Sequence, residues 1–219
     1  MLTDRVLFID GEAIILDKPA GLPVDAPRDG SLSLENHLSS LTFGFQRWPL
    51  PVHRLDRDTS GCLLLARNPK AHKRFAAAFE AGTVEKRYLA VVDGVPEAED
   101  GLIDLPLGKT STRERGWRMV VDPKGKAART HWRRVQVVGA RALIAFTPET
   151  GRTHQIRAHA LYGLGMGIVG DPVYGASDGA GMLLHSYRLS VPREGKPPAE
   201  AIAPLPERFT KSGFAYGED

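Results

Sequence analysis

The stretch His53-Arg54-Leu55-Asp56-Arg57-Asp58-Thr59-Ser60-Gly61 sets two carboxylates among cationic side chains, and its Thr-Ser-Gly turn leads into the apolar run Cys62 to Ala66. Upstream, Trp48-Pro49-Leu50-Pro51 is a stiff, non-helical approach, because proline fixes its own φ and disfavours helix in the residue before it. A charged loop entering a buried strand can hold an aspartate partly out of water beside an arginine. The cation keeps such a carboxylate ionised, and desolvation leaves it exposed as a nucleophile. The same residues also suit a surface loop whose exposed ion pairs are weak.

Other residues with chemical potential lie downstream. Lys86 and Tyr88 are two apart in an alternating segment, Val84 to Asp93, so a strand there puts Lys86, Tyr88, Ala90 and Val92 on one face. That pattern fits a packed sheet with polar tips in solvent as well as it fits a site. Thr150-Gly151-Arg152-Thr153 leads into a helix ending near Gly163, whose polar face is expected to carry His154 and Arg157. Several tempting patterns fail on context. Gly165-Met166-Gly167-Ile168-Val169-Gly170 has dinucleotide-binding spacing, but it follows a helix and runs into Asp171-Pro172. His154 and His159 are five apart, the wrong interval for two metal ligands on one helical face. No Gly-x-Ser-x-Gly supports a serine hydrolase. A glycosidase-like pair among Asp56, Asp58 and Glu149 stays open, since spacing does not show which carboxylates converge.

These residues need elements to position them. Val6–Ile9 and Ala13–Leu16 flank Asp10-Gly11 and predict a hairpin with Gly in the tight turn. Leu34, Leu38 and Leu41 predict a short helix over 34–41. Asn68-Pro69 opens a helix with Asn as N-cap and Pro at its first position. Its buried stripe is Ala71, Phe75, Ala78 and Phe79, and Gly82 closes it. Strands are expected at 118–121, 127–138, 141–147 and 182–191, with a turn at Asp122-Pro123-Lys124-Gly125 and a short terminal cap at 204–209. Segment 109–117 lacks periodicity and predicts a flexible basic loop. Strands interleaved with about three helices, without regular β-α-β alternation, predict an α+β fold.

The chain of 219 residues is long enough for a substantial core, and no apolar run approaches the length needed to span a bilayer. The N-terminus lacks a signal peptide's layout, and a single cysteine, Cys62, cannot form an internal disulfide; both favour the cytoplasm. Net charge is only +3, yet residues 109–134 hold nine Lys or Arg against Glu114 and Asp122, a local balance of +7. That concentration suits a polyanion partner, or else a solvated basic face.

His-Arg-Leu-Asp-x-x-Thr-Ser-Gly resembles the catalytic motif of the RluA-type RNA pseudouridine synthases, complete at each position that family fixes. Leu16-Asp17-Lys18-Pro19-Ala20-Gly21 is similar to its N-terminal Lys-Pro-x-Gly motif, with Asp before Lys where Asn is more usual. Lys86-Arg87-Tyr88-Leu89-Ala90 resembles its second active-site motif, at the family's distance from Asp56. The run Thr150 to His159, continuing through Gly170-Asp171-Pro172-Val173-Tyr174-Gly175 and Leu183-Leu184-His185, resembles its C-terminal motif. The resemblance spans about residues 5–209. It implies one catalytic domain over 1–219 without an N-terminal S4-type domain, acting as a monomer. The implied fold is a pseudouridine synthase core, a long mixed, mostly antiparallel sheet flanked by helices with a central basic cleft.

By the same resemblance the substrate is RNA, either a transfer RNA or a large-subunit ribosomal RNA stem-loop, and no cofactor, metal or membrane is involved. Asp56 would be the nucleophile or base, Tyr88 would lie against the target base, and Arg157 would pair with Asp56. Arg54 would help extrude the uridine. His53, Thr59, Lys86, Arg152, His154 and Gln155 complete the implied substrate-binding set. Whether the aspartate attacks the sugar or begins a glycal route is left open by sequence. The alternative is a catalytically silent RNA-binding protein on the same scaffold. Intact Asp56, Tyr88 and Arg157 argue against it.

Overall fold

The computed structural model describes residues 1–27, 29–114, 116–175, 179 and 181–217. In chain order the strands are β1 Val6–Ile9, β2 Ala13–Lys18, β3 Leu50–Pro51, β4 Ser60–Ala66, β5 Glu85–Val92, β6 Asp100–Asp104, β7 Leu107–Thr112, β8 Gly116–Val121, β9 Arg129–Val138, β10 Arg141–Pro148, β11 Leu184–Arg193 and β12 Lys196–Ile202. The helices are α1 Pro69–Glu80, α2 Gln155–Leu164 and α3 Glu207–Lys211, with 3-10 helices at Leu2–Arg5 and Leu34–Leu41. This is the α+β class that the sequence predicts, mostly antiparallel. The chain folds as two compact units, one from 1–86 and 186–204, the other from 87–185 and 205–219.

In the first unit, β1 pairs with β2, β2 with β4, and β11 with β12, all antiparallel. The β1–β2 turn is closed by Asp10, whose Oδ1 accepts the amides of Glu12 and Ala13 at 2.8 and 2.9 Å. The aspartate, and not a left-handed glycine, makes that turn. Every residue of β4 is buried, as are Ala13 to Leu16 of β2, which explains their unbroken apolar runs. Ile15, Cys62 and Leu64 share a core with Ala71 and Phe75 of α1. Each such fully buried aliphatic side chain contributes roughly 1.5–3 kcal/mol. α1 starts as its sequence dictates: Asn68 accepts the Ala71 amide at 2.8 Å, Pro69 follows it, and Gly82 (φ 71°) ends the segment.

In the second unit β10 lies between β5 and β9, and β6 extends the sheet from β9. Ala90, Ile144, Phe146, Trp132 and Ile156 form its main core, with Tyr88 packed at the margin. Segment 109–117 is not the loop that its sequence predicts. It forms β7 and the start of β8, an antiparallel ribbon from Leu107↔Val121 to Thr112↔Gly116. Most of β7 is open to solvent on both faces, so it carries no apolar alternation by which to recognise it. Met119 and Val121 of β8 pack with Ala158, Leu161 and Tyr174 in a second small core. α2 also differs from expectation: Gln155 to Ala160 are buried without interruption, so Arg157 is inside the protein and not on a polar face.

Candidate active site

The loop that carries Asp56 is fixed at both ends by its own neighbours in the first unit. Lys18, at the end of β2, is completely buried, and its ammonium donates to the carbonyls of Pro19, Leu22 and Arg57 at 2.9, 2.8 and 3.0 Å. Those three bonds use all three protons of an ammonium group. The Arg57 carbonyl accepts a second bond, from the Gly21 amide at 2.9 Å. The Lys-Pro-x-Gly segment is thus tied directly to the residue after Asp56. On the other side Leu55 is buried, the Thr59 amide donates to the Asp56 carbonyl at 3.1 Å, and Thr59 itself is inside the protein. A carboxylate between anchors of this kind has little backbone freedom.

Arg54 is exposed and pairs with Asp25 at 2.8 Å, a solvent-screened contact that a stronger anion can replace. His53 faces inward. Its Nε2 accepts the Leu64 amide at 3.0 Å, and its ring stacks on Phe79 with centroids 4.5 Å apart. Burial first, then the nearby Lys86 ammonium, pulls the His53 pKa down to about 3, so the ring is neutral at ordinary pH. The Lys86 ammonium also lies over the Phe79 ring, 6.0 Å from its centroid, and burial lowers its pKa. His53 and Lys86 are therefore brought together around one phenylalanine of α1.

In the second unit, Tyr88 of β5 stands opposite Phe146 of β10. The remaining predicted residues gather at the start of α2. Gln155 uses its full hydrogen-bonding capacity there. Its oxygen accepts from the Thr150 hydroxyl (2.8 Å) and the Arg152 amide (2.9 Å), and its amide nitrogen donates to the Arg129 carbonyl (3.0 Å) and Thr130 hydroxyl (2.9 Å). Arg152 donates from Nε to the Ala127 carbonyl at 2.9 Å. His154 caps the helix in the left-handed conformation (φ 52°, ψ 20°), which is uncommon for a residue other than glycine. It is not on the helix face that the sequence predicts.

Arg157 is held by Asp171 in a side-on pair, Nε to Oδ2 at 2.7 Å and Nη2 to Oδ1 at 2.8 Å. Asp171 also accepts the amides of Val173 and Tyr174. Its burial favours the neutral acid. The Arg157 hydrogen bonds and charge outweigh that, helped by the two amides, and its pKa is lowered. The loop around it is tight: Gly170 has φ 74°, and a Cβ there would collide with the Gly181 carbonyl. Lys18, Asp171 and Tyr174 received no role from sequence, although each stands inside a recognised motif. Membership in those motifs was the available signal. Among the described residues no group of three or more His, Cys, Asp or Glu is placed to hold a metal ion, and no helix is long and apolar enough to cross a membrane.

The chain has clear relatives among known proteins. Residues 12–162 match the family model for RNA pseudouridylate synthase. An uncharacterized RNA pseudouridine synthase of Zymomonas mobilis is 59% identical over 217 residues, covering 98% of this chain and 99% of that protein. The ribosomal large subunit pseudouridine synthase D of Nitrosomonas europaea is 41% identical over 180 residues, 78% of this chain but only 49% of that protein. The chain thus spans about half the length of that longer relative. Among solved structures, human RNA pseudouridylate synthase domain containing 4 superimposes with a TM-score of 0.80 at 25% identity, covering 96% of this chain and 92% of that one. The chain belongs to the RNA pseudouridine synthase family, a family of isomerases.

Proposed function

We propose that this protein isomerises uridine to pseudouridine in a stem-loop of large-subunit ribosomal RNA, with Asp56 as the catalytic carboxylate. The anchoring of the Asp56 loop by Lys18, Gly21 and Thr59 carries this reading, because it presents one carboxylate in a fixed place. In the reaction the uracil N–C bond to ribose breaks, the base turns, and a C–C bond forms to the same sugar. A proton then leaves the newly bonded ring carbon and one is taken up at the released nitrogen. Atoms and electrons balance within the nucleotide.

Asp56 acts on the target nucleoside, Tyr88 lies against the base and assists the final proton removal, and Arg157 serves as the cationic partner that aims Asp56. Arg54 helps extrude the uridine, exchanging Asp25 for a phosphate. Lys86, Arg152 and His154 line the approach of the RNA, while His53, Thr59 and Gln155 support that set from inside the protein. The whole chain serves as one catalytic domain, monomeric and cytoplasmic. The ribosomal choice is supported by relatives that are named as ribosomal large subunit pseudouridine synthase D.

Mapping pseudouridines in total RNA from cells with and without the protein tests the assignment. A site lost from large-subunit ribosomal RNA is the expected result. A site lost only from transfer RNA would move the substrate class, and no lost site would overturn the reading.

A further inference from the structure

The second unit contains a connection that the reaction chemistry does not account for. The Tyr174 hydroxyl accepts the Met119 amide of β8 at 2.8 Å and shares a hydrogen bond with His154 Nδ1 at 3.1 Å. The Tyr174 ring lies 5.2 Å from the Arg157 guanidinium, and its backbone amide donates to Asp171 Oδ1 at 3.1 Å. One residue therefore touches both members of the Arg157–Asp171 pair and, through its hydroxyl, the backbone of the basic ribbon. Trp117 makes the arrangement two-pronged. It is two residues before Met119 on the same strand face, and it meets His154 edge-on at 4.8 Å. His154 also meets Tyr174 itself edge-on, at 5.6 Å.

Ordinary core packing does not explain this use of the hydroxyl. A phenylalanine would fill the same space among Leu107, Ala128 and Ala158, without the β8 attachment. His154 holds its ring beside that hydroxyl in an unfavourable left-handed backbone, a strain that surrounding contacts must offset. Burial pushes the Tyr174 phenol up to about 12, so it serves as a neutral hydrogen-bonding group.

We propose that Tyr174 is a positioning residue through which the β7–β8 ribbon sets the place of Arg157. The inference rests on the reading that Arg157 serves the reaction at Asp56. RNA bound along the ribbon would then bear on the arginine through Met119, Tyr174 and the pair with Asp171. Strand, phenol and ion pair form one contiguous set of contacts.

The test compares Tyr174→Phe, Tyr174→Leu, Arg157→Lys and wild type, using RNA from cells lacking the protein. Single-turnover rate at saturating RNA, RNA affinity, circular dichroism and amide exchange at Met119 are measured on each. Tyr174→Phe should speed Met119 exchange, leave affinity within about threefold, and slow the single-turnover rate by at least about tenfold, as a small displacement of a catalytic group does. A merely structural tyrosine would change exchange and leave that rate alone. A Tyr174→Phe rate within about twofold of wild type, in a folded protein with accelerated exchange, would overturn the proposal. If circular dichroism shows Tyr174→Phe to be misfolded, Tyr174→Leu decides by the same criteria, since leucine also lacks the hydroxyl and asks for less space in that small core. An unimpaired Arg157→Lys would instead overturn the role given to Arg157, whatever Tyr174 does.

Discussion

Arg157 and Asp171 are fourteen residues apart in sequence and meet side-on inside the protein, with side chains only 6% and 0% exposed. Two parallel hydrogen bonds, and two backbone amides on the carboxylate, offset the burial of the two charges. Removing one partner leaves the other charge buried. Asp171→Ala should therefore destabilise the protein by about 3–5 kcal/mol in urea unfolding. A loss below about 1 kcal/mol would mean that the pair is no more valuable than a surface contact.

His53 gives the fold a defined pH response. Its pKa falls from 6.5 to about 3 on folding, so the unfolded chain binds the proton first as pH drops. The stability due to neutral His53 is thus fully present above pH 6.5 and is lost as pH falls toward 3. Asp171 adds in the same direction, because its lowered pKa also makes acid destabilising. His53→Gln retains an acceptor for the Leu64 amide but does not titrate. Its stability should fall less steeply below pH 6.5, the difference approaching about 1.4 kcal/mol per pH unit for one proton. Parallel pH–stability curves would show that His53 is not the group responsible.

The basic segment offers a different measurement. Arg113 stands on the exposed turn of the ribbon, Arg118 lies on β8, and Arg115 is outside the described residues. If RNA phosphates lie along this ribbon, the log–log salt slope of binding gains roughly 0.7–0.9 for each phosphate neutralised. Replacing Arg113, Arg115 and Arg118 together by Gln should flatten that slope and raise KM. Because such contacts stabilise ground and transition states alike, kcat should stay within a few-fold. An unchanged salt slope in the triple variant would reduce the segment to a solvated face.

How much of this was legible in the sequence depended on how local the cause was. The start of α1 could be read directly, because Asn68 and Pro69 act on the turn beside them. The buried strands β2 and β4 were equally plain in their apolar runs. The ribbon was hidden because a strand wet on both faces has no periodicity to display. The inner position of α2 was hidden for another reason. Arg157, expected on a polar face, and His159 are both placed by partners that sequence does not reveal. Those partners are Asp171, the Thr130 hydroxyl and the Leu105 carbonyl, all supplied by tertiary structure. The candidate site followed the same division: its residue types stood in recognisable order, whereas Lys18 beneath the Asp56 loop and Tyr174 beside Arg157 emerged only from the contacts.

Whether Asp56 performs the chemistry is decided by Asp56→Asn. The substitution preserves size and removes the charge, so the folded variant should bind substrate RNA with nearly wild-type affinity. Pseudouridine formation should then be measured under single turnover at saturating RNA. No product should form over many wild-type half-lives. A rate within about a hundredfold of wild type would contradict that role for Asp56, since a lost nucleophile or base costs far more than a weakened contact.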